Sequence, residues 1–300
     1  MCIRDRLYDA IKACNPAGLI SSTSGELILT GGSYKVSMDE LPTVPRITLL
    51  KSQFDEVKAM VNEGKEVELE FDIRNHFRKG PIPLYNVIAD IPGTEWPDQY
   101  VVVGGHIDSW DGATGATDNA AGCATTLEAA RLLMASGAKP KRTIRFMLWS
   151  GEEQGLLGSR AYVEKHKKDV AKNVSAVFVH DGGTIYVAGI RGTKAMIPDF
   201  ETVFASVRKM NPSSPFDIAE IPTIPARGGS DHVPFIRAGV PGFFWMQRGR
   251  AVYRTTHHTQ YDTYESIVSE YQEHSSIVIA VGALGTANLD HLLPRDGIAK

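Results

Sequence analysis

The sequence is poor in cysteine: Cys2, Cys14 and Cys123 are the only three in 300 residues, and none forms a CxxC pair. That excludes a disulfide framework and leaves the compartment undecided. No stretch of about 18 apolar residues occurs, so nothing reads as a bilayer span. Charge of one sign is also missing, with 32 Lys+Arg against 35 Asp+Glu, a net charge of -3 and no long run of either sign. The electrostatic footprint of a nucleic-acid or membrane-surface binder is therefore absent, and small or neutral partners are favoured. Internal repeats and low-complexity tracts are lacking too. What remains is ordinary globular composition, 43% hydrophobic and 22% charged. A chain this long removes roughly 75% of its unfolded surface from water. It needs neither disulfides nor metal to hold a core, so a bound metal would serve chemistry.

The opening Met1-Cys2-Ile3-Arg4-Asp5-Arg6 lacks the apolar stretch of a signal peptide. Residues 1–6 are expected to be a sequencing-adapter artefact fused to a truncated reading frame. On that expectation the missing signal peptide says nothing about location.

Residues 7–65 read as a small α+β piece, with an amphipathic segment from Leu7 to Cys14, a strand-like Gly18-Leu19-Ile20, then Gly- and Ser-rich turns and Pro42 and Pro45. From residue 66 a larger domain is expected to run to residue 300. Val67, Leu69 and Phe71 alternate with acidic residues as a half-buried strand would, and Asn86 to Ile91 follows. Strand runs at Tyr100 to Val103, Thr143 to Trp149, Val174 to Val179 and Gly242 to Met246 then alternate with helical patterns. The helices are expected over Asn119 to Ala135, Leu156 to Lys165, Asp199 to Met210 and Val268 to Leu289. Such alternation predicts a largely parallel sheet with helices on both faces, whose ligands gather beyond the carboxyl ends of the strands.

Acidic and imidazole residues collect just after those strand ends. Gly105-His106-Ile107-Asp108-Ser109-Trp110 follows the first run, and Asp118 stands ten residues past Asp108. Glu152-Glu153, His180-Asp181, Ser230-Asp231-His232 and His257-His258 follow. Taken singly, each has a plainer reading. Asp118 suits an N-cap, His106 a hydrogen-bonded histidine at a strand end, and Glu152-Glu153 or His257-His258 a solvated loop. Their coincidence favours chemistry. Nitrogen and oxygen ligands without cysteine suit zinc in a hydrolytic site, and two ions about 3.5 to 4 Å apart need a bridging carboxylate. In His106-x-Asp108 the spacing of two would let the carboxylate orient the imidazole. Adjacent Glu152 and Glu153 can divide the labour, one on metal and the other taking a proton from water.

Gly-Gly-His-Ile-Asp-Ser-Trp, Thr-Asp-Asn-Ala-Ala-Gly, Gly-Glu-Glu-Gln-Gly-Leu-Leu-Gly-Ser and Ser-Asp-His-Val-Pro-Phe occur in the order and spacing of a known family. From about Val67 onward the chain resembles the co-catalytic di-zinc exopeptidases, which include plasma glutamate carboxypeptidase and secreted bacterial aminopeptidases. The resemblance implies a three-layer αβα core with a mostly parallel mixed sheet. It also implies that residues 7–65 are the remnant of a protease-associated domain. Two zinc ions are implied, with His106, Asp181, Glu153 and His258 as terminal ligands, Asp118 as the bridge and Glu152 as general base. His258 takes the ligand role because the family places it directly before Thr or Ser, with His257 as the substitute. Where several members carry Tyr before that ligand, this chain has His257, which is expected to stabilise the oxyanion. A cis peptide between Asp118 and Asn119 is implied as well.

The expected activity is hydrolysis of peptide bonds next to a free N-terminus by metal-activated water, as an aminopeptidase or dipeptidase. Glutaminyl-cyclase-like acyl transfer and a non-catalytic binding homologue are the alternatives. Partners would be a peptide or dipeptide substrate, with a homodimer left open, and the location secreted or periplasmic. Ser230, Asp231 and His232 suggest pocket or supporting roles or a self-satisfied loop. Arg227 reads as solvated before it reads as a contact for a substrate carboxylate, and Cys123 reads as packing.

Overall fold

A computed structural model describes residues 10–11, 13–31, 37–39, 41, 44–183 and 185–299. Residues 1–6, part of the segment from Leu7 to Cys14, and Pro42 lie outside the described residues. The chain divides into two units, Met1–Pro83 and Leu84–Lys300.

In the first unit, strands β1 (Leu19–Ser22) and β2 (Arg46–Leu49) pair in parallel, and helix α1 (Lys51–Asn62) follows. Val67, Leu69 and Phe71 form no strand, which corrects the reading from alternation. A strand needs a neighbour to take its ladder hydrogen bonds, and among the described residues β1 and β2 pair only with each other. The alternating apolar residues, with Ile73, instead line a cavity of about 630 Å³ against Leu19, Ile20 and Ile47. Residues 66–83 thus group with the first unit.

The second unit holds β3 (Val87–Ile91), β4 (Trp96–His106), α2 (Ala121–Ala135), β5 (Arg142–Trp149), α3 (Leu157–Lys165), α4 (Lys167–Asn173) and β6 (Val174–Val179). Then come β7 (Tyr186–Gly192), α5 (Ile197–Val203), α6 (Val207–Met210), β8 (Asp217–Glu220), α7 (His232–Arg237), β9 (Gly242–Phe244), β10 (Met246–Arg248) and α8 (Ser269–Ala287). Five strands form one sheet in the order β3-β5-β4-β6-β9, with β3 antiparallel and the rest parallel, as expected of a mixed α/β core.

Alternation along each strand builds the two flanking layers. Val101, Val103, Ile144, Phe146, Ala176 and Phe178 face a core shared with Ala129 and Leu133 of α2 and Val278 and Ile279 of α8. Val102, Met147, Trp149, Val177 and Val179 face the opposite core with Tyr162, Val163, Val170 and Phe235. Two expected elements are divided. The helix over Asp199 to Met210 breaks at Phe204 to Ser206, and the run Gly242 to Met246 is shared between two sheets, β9 pairing with β6 and β10 with β7. Because β4, β5 and β6 are parallel, His106, Glu152-Glu153 and Asp181 emerge on one edge.

Candidate active site

His106 is the last residue of β4 and is buried. Its Nε2 lies 3.2 Å from Asp118 Oδ1 and 3.4 Å from Asp181 Oδ1. Asp181 follows β6, and its backbone carbonyl accepts a hydrogen bond from Gln247 Nε2 at 2.6 Å. Asp118 sits in a single π turn, Ala116–Ala120, where its φ of -127° departs from helical geometry. It is not the N-cap of α2, which follows Ala120. The peptide bond from Asp118 to Asn119 is cis, as the resemblance implies. The Asn119 side chain donates to His180 O at 3.0 Å and accepts the Gly122 N–H at 3.2 Å. A Cβ on Gly122 would run into both the His180 carbonyl and the Asn119 amide, so glycine is required for this close approach.

The other Asp118 oxygen faces the opposite way. Oδ2 lies 3.3 Å from His258 Nε2, and that nitrogen lies 2.9 Å from Glu153 Oε2. His258 reaches this position from the left-handed region, at φ 54°, a conformation that costs energy in a non-glycine residue and concentrates at functional sites. His257 Nε2 lies 3.8 Å from Asp118 Oδ2, close enough to compete with Glu153 as a donor. The Glu153 side chain is 3% exposed and that of His257 48%. The donor atoms that come together around one point here are those of Asp118, His257 and His258, while Glu153 meets His258 through Oε2 and keeps its buried Oε1 without a hydrogen bond, so Glu153 and His257 are both ligand candidates.

The donor set suits divalent-cation binding. A tetrahedral site with bonds of about 2.0 to 2.2 Å puts its ligand atoms about 3.3 to 3.6 Å apart, and three of the four ligand contacts above lie within 0.1 Å of that range while the fourth is shorter. Asp118 Oδ2 and Glu153 Oε1 are buried and accept no hydrogen bond. Burial alone pushes the Asp118 carboxyl up, but contact with His106 and His258 outweighs it and holds the group well below the usual carboxylate range. Burial works against protonated His106, and contact with Asp118 and Asp181 overrides it, raising its pKa well above the usual value.

Glu152 is buried beside this group, and burial pushes its carboxyl up to about 9, with repulsion from Asp181, Asp231 and Glu153 adding to the effect against the pull of His106. Burial, with Asp118, takes Glu153 up to about 7. The structure changes the expected part of Asp108. His106 Nδ1 meets the Asp108 backbone carbonyl at 2.9 Å, while the nearer carboxylate oxygen stands 3.8 Å away. The Asp108 carboxylate instead accepts the backbone N–H groups of Glu152 at 3.1 Å and Glu153 at 3.2 Å.

Ser230, Asp231 and His232 are buried at the start of α7, and burial pushes Asp231 up to about 7 and His232 down to about 4. Arg227 is exposed. Cys123 donates its thiol to His106 O at 2.9 Å, and burial takes it up to about 12, so it is a packed, protonated group. Two contributors went unassigned in the sequence reading. Gln247 holds the Asp181 backbone, and Asp262 accepts the N–H groups of Thr117 at 2.6 Å and Asp118 at 3.1 Å. Asp262 stands four residues past His258, and nothing in the local sequence shows what it binds.

Residues 86–282 match the family model described as peptidase family M28. Carboxypeptidase Q of Xenopus laevis is 30% identical over 272 residues, which cover 86% of this chain and 53% of that protein. The chain thus spans about half the length of the curated relatives it matches. Among solved structures, the peptidase M28 precursor of Shewanella amazonensis SB2B shares 28% identity and a TM-score of 0.71, covering 93% of this chain and 62% of that one. A zinc aminopeptidase of Bacillus subtilis, at 18% identity and a TM-score of 0.61 over 97% of this chain and 68% of that one, is a likeness of fold.

Proposed function

The chain belongs to peptidase family M28, and on that premise we propose that it is a zinc-dependent exopeptidase hydrolysing peptide bonds next to a free N-terminus. Asp118 carries this reading. Its Oδ1 faces His106 and its Oδ2 faces His258, so one carboxylate is shared between two donor groups. His106 and Asp181 would hold one zinc ion, Glu153 and His258 the other, and Asp118 both. The formal charges of three carboxylates nearly balance two divalent cations, and the nitrogen and oxygen donors suit zinc. The zinc aminopeptidase of Bacillus subtilis with the same fold supports that choice of metal.

Zinc, when bound, supplies the Lewis acidity that polarises a peptide carbonyl and acidifies the attacking water. Glu152 takes the proton from that water and returns it to the leaving amine. Glu152, raised by burial and by its carboxylate neighbours, would be drawn back towards the working range of a base near neutral pH by bound cations. Burial, and then His258, keep His257 below its usual pKa. As a neutral imidazole it retains one N–H to donate to the oxyanion of the tetrahedral intermediate. The first unit is assigned to a protease-associated-like domain, and a secreted or periplasmic location goes with the same family reading.

Metal analysis with chelation and zinc add-back, run beside hydrolysis of free and N-blocked dipeptides, tests the proposal. The expected result is loss of activity on chelation, recovery with zinc, and a strong preference for the free amine. Equal rates on free and blocked substrates would overturn the exopeptidase assignment. Cyclisation of N-terminal Gln without dipeptide hydrolysis would favour the acyl-transfer alternative.

A further inference from the structure

We propose that Asp262 is a positioning residue that sets the place of Asp118, and with it the spacing of the two donor groups. The inference rests on the reading of Asp118 as the shared ligand.

The backbone around Asp118 cannot satisfy itself. The first N–H groups of a helical segment have no intrahelical partner, and the π turn Ala116–Ala120 has no side-chain cap within it. Asp262 meets this need from 144 residues away. Its Oδ1 accepts the Thr117 N–H at 2.6 Å and its Oδ2 accepts the Asp118 N–H at 3.1 Å. Its backbone carbonyl accepts the Thr114 N–H at 3.1 Å, the Thr114 hydroxyl at 3.1 Å and the Ala116 N–H at 3.4 Å. One buried residue therefore gathers the polar groups of the segment leading into Asp118.

The same loop carries His258. The Asp262 N–H donates to Thr259 O at 3.2 Å, closing the turn just after that histidine. At the other end of the loop, Thr117 Oγ1 donates to Thr256 Oγ1 at 2.9 Å. His258 and Asp118, which face each other at 3.3 Å, are thus braced on both sides by bonds between their own segments. Without the Asp262 carboxylate two consecutive buried N–H groups lose their acceptor, and the segment must shift to find another. Because Asp118 turns one oxygen to each donor group, such a shift disturbs both.

The test is Asp262→Asn in the full chain, with Asp262→Ala beside it. The asparagine keeps the shape and one acceptor oxygen but sets an amide N–H against the second backbone donor. Zinc affinity, read by competition with a chromogenic chelator, is expected to fall by about 10- to 100-fold, the usual range for losing a group that orients a ligand. In the zinc-free protein the amides of Thr117 and Asp118 should exchange hydrogen faster, while those of β4 and β5 keep their protection. Turnover should fall with KM nearly unchanged. Wild-type zinc affinity together with unchanged exchange at Thr117 and Asp118 would overturn the proposal. So would a loss of protection spread evenly over the chain, which marks a general structural role. A wild-type chain that takes up zinc while the variants do not distinguish themselves defeats this proposal alone. A wild-type chain that takes up none defeats the metal reading and this proposal together.

Discussion

The imidazole of His257 lies nearly parallel to that of His258, with ring centres 3.9 Å apart and planes at 21°. Stacking holds His257 beside a ligand candidate while leaving its side chain 48% exposed to an incoming substrate. Replacing it by alanine should cost about 10² to 10³ in kcat, the range for an oxyanion donor, with zinc content unchanged. Loss of one zinc equivalent in His257→Ala would instead make it a ligand, in competition with Glu153.

Glu152 belongs to neither donor group, although it is buried against both. Glu152→Gln keeps the shape and removes the base. Turnover should drop by about 10² to 10⁴, the typical share of a positioned proton-transfer group, while metal analysis returns the wild-type zinc content. Near-wild-type turnover would remove Glu152 from the proton transfer.

Asp108 holds Glu152 and Glu153 by their backbone N–H groups. Its carboxylate is the acceptor there, whereas His106 is held by the Asp108 carbonyl. Asp108→Asn should therefore loosen the Glu152-Glu153 turn, with faster amide exchange at those two residues and zinc affinity lower by about 10- to 100-fold. Unaltered exchange at both amides would restore a direct carboxylate role towards His106.

His232 bears on stability against pH. Burial takes its pKa from 6.5 down to about 4. The unfolded chain then binds a proton that the folded one refuses, so stability is lost as pH falls from about 6.5 to about 4. A shift of this size corresponds to roughly 3 kcal/mol at the lower end of the window. Urea unfolding of the zinc-free protein from pH 7 to 4 should show a shallower acid loss in His232→Gln than in wild type. Parallel curves would mean that the unfolding does not depend on this imidazole.

The amino-acid sequence by itself determined the mixed α/β core and the candidate ligands. Short, continuously apolar runs such as Val101 to Val103 and Val177 to Val179 read as buried strands, and the acidic and imidazole residues follow at their ends. Parallel pairing then brings those ends to one edge, so chain position translates into proximity. Local pattern failed where the outcome depends on a distant partner. Val67, Leu69 and Phe71 alternate like a strand but pair with none, and Gly242 to Met246 divides between sheets at Trp245. Only the tertiary structure decided that the Asp108 carboxylate serves the backbone of residues 44 and 45 positions on, and that Asp262 reaches back to Thr117 and Asp118. A carboxylate has the same chemistry wherever it stands in the chain. Which N–H groups it accepts depends on which backbone the packed fold leaves without a partner.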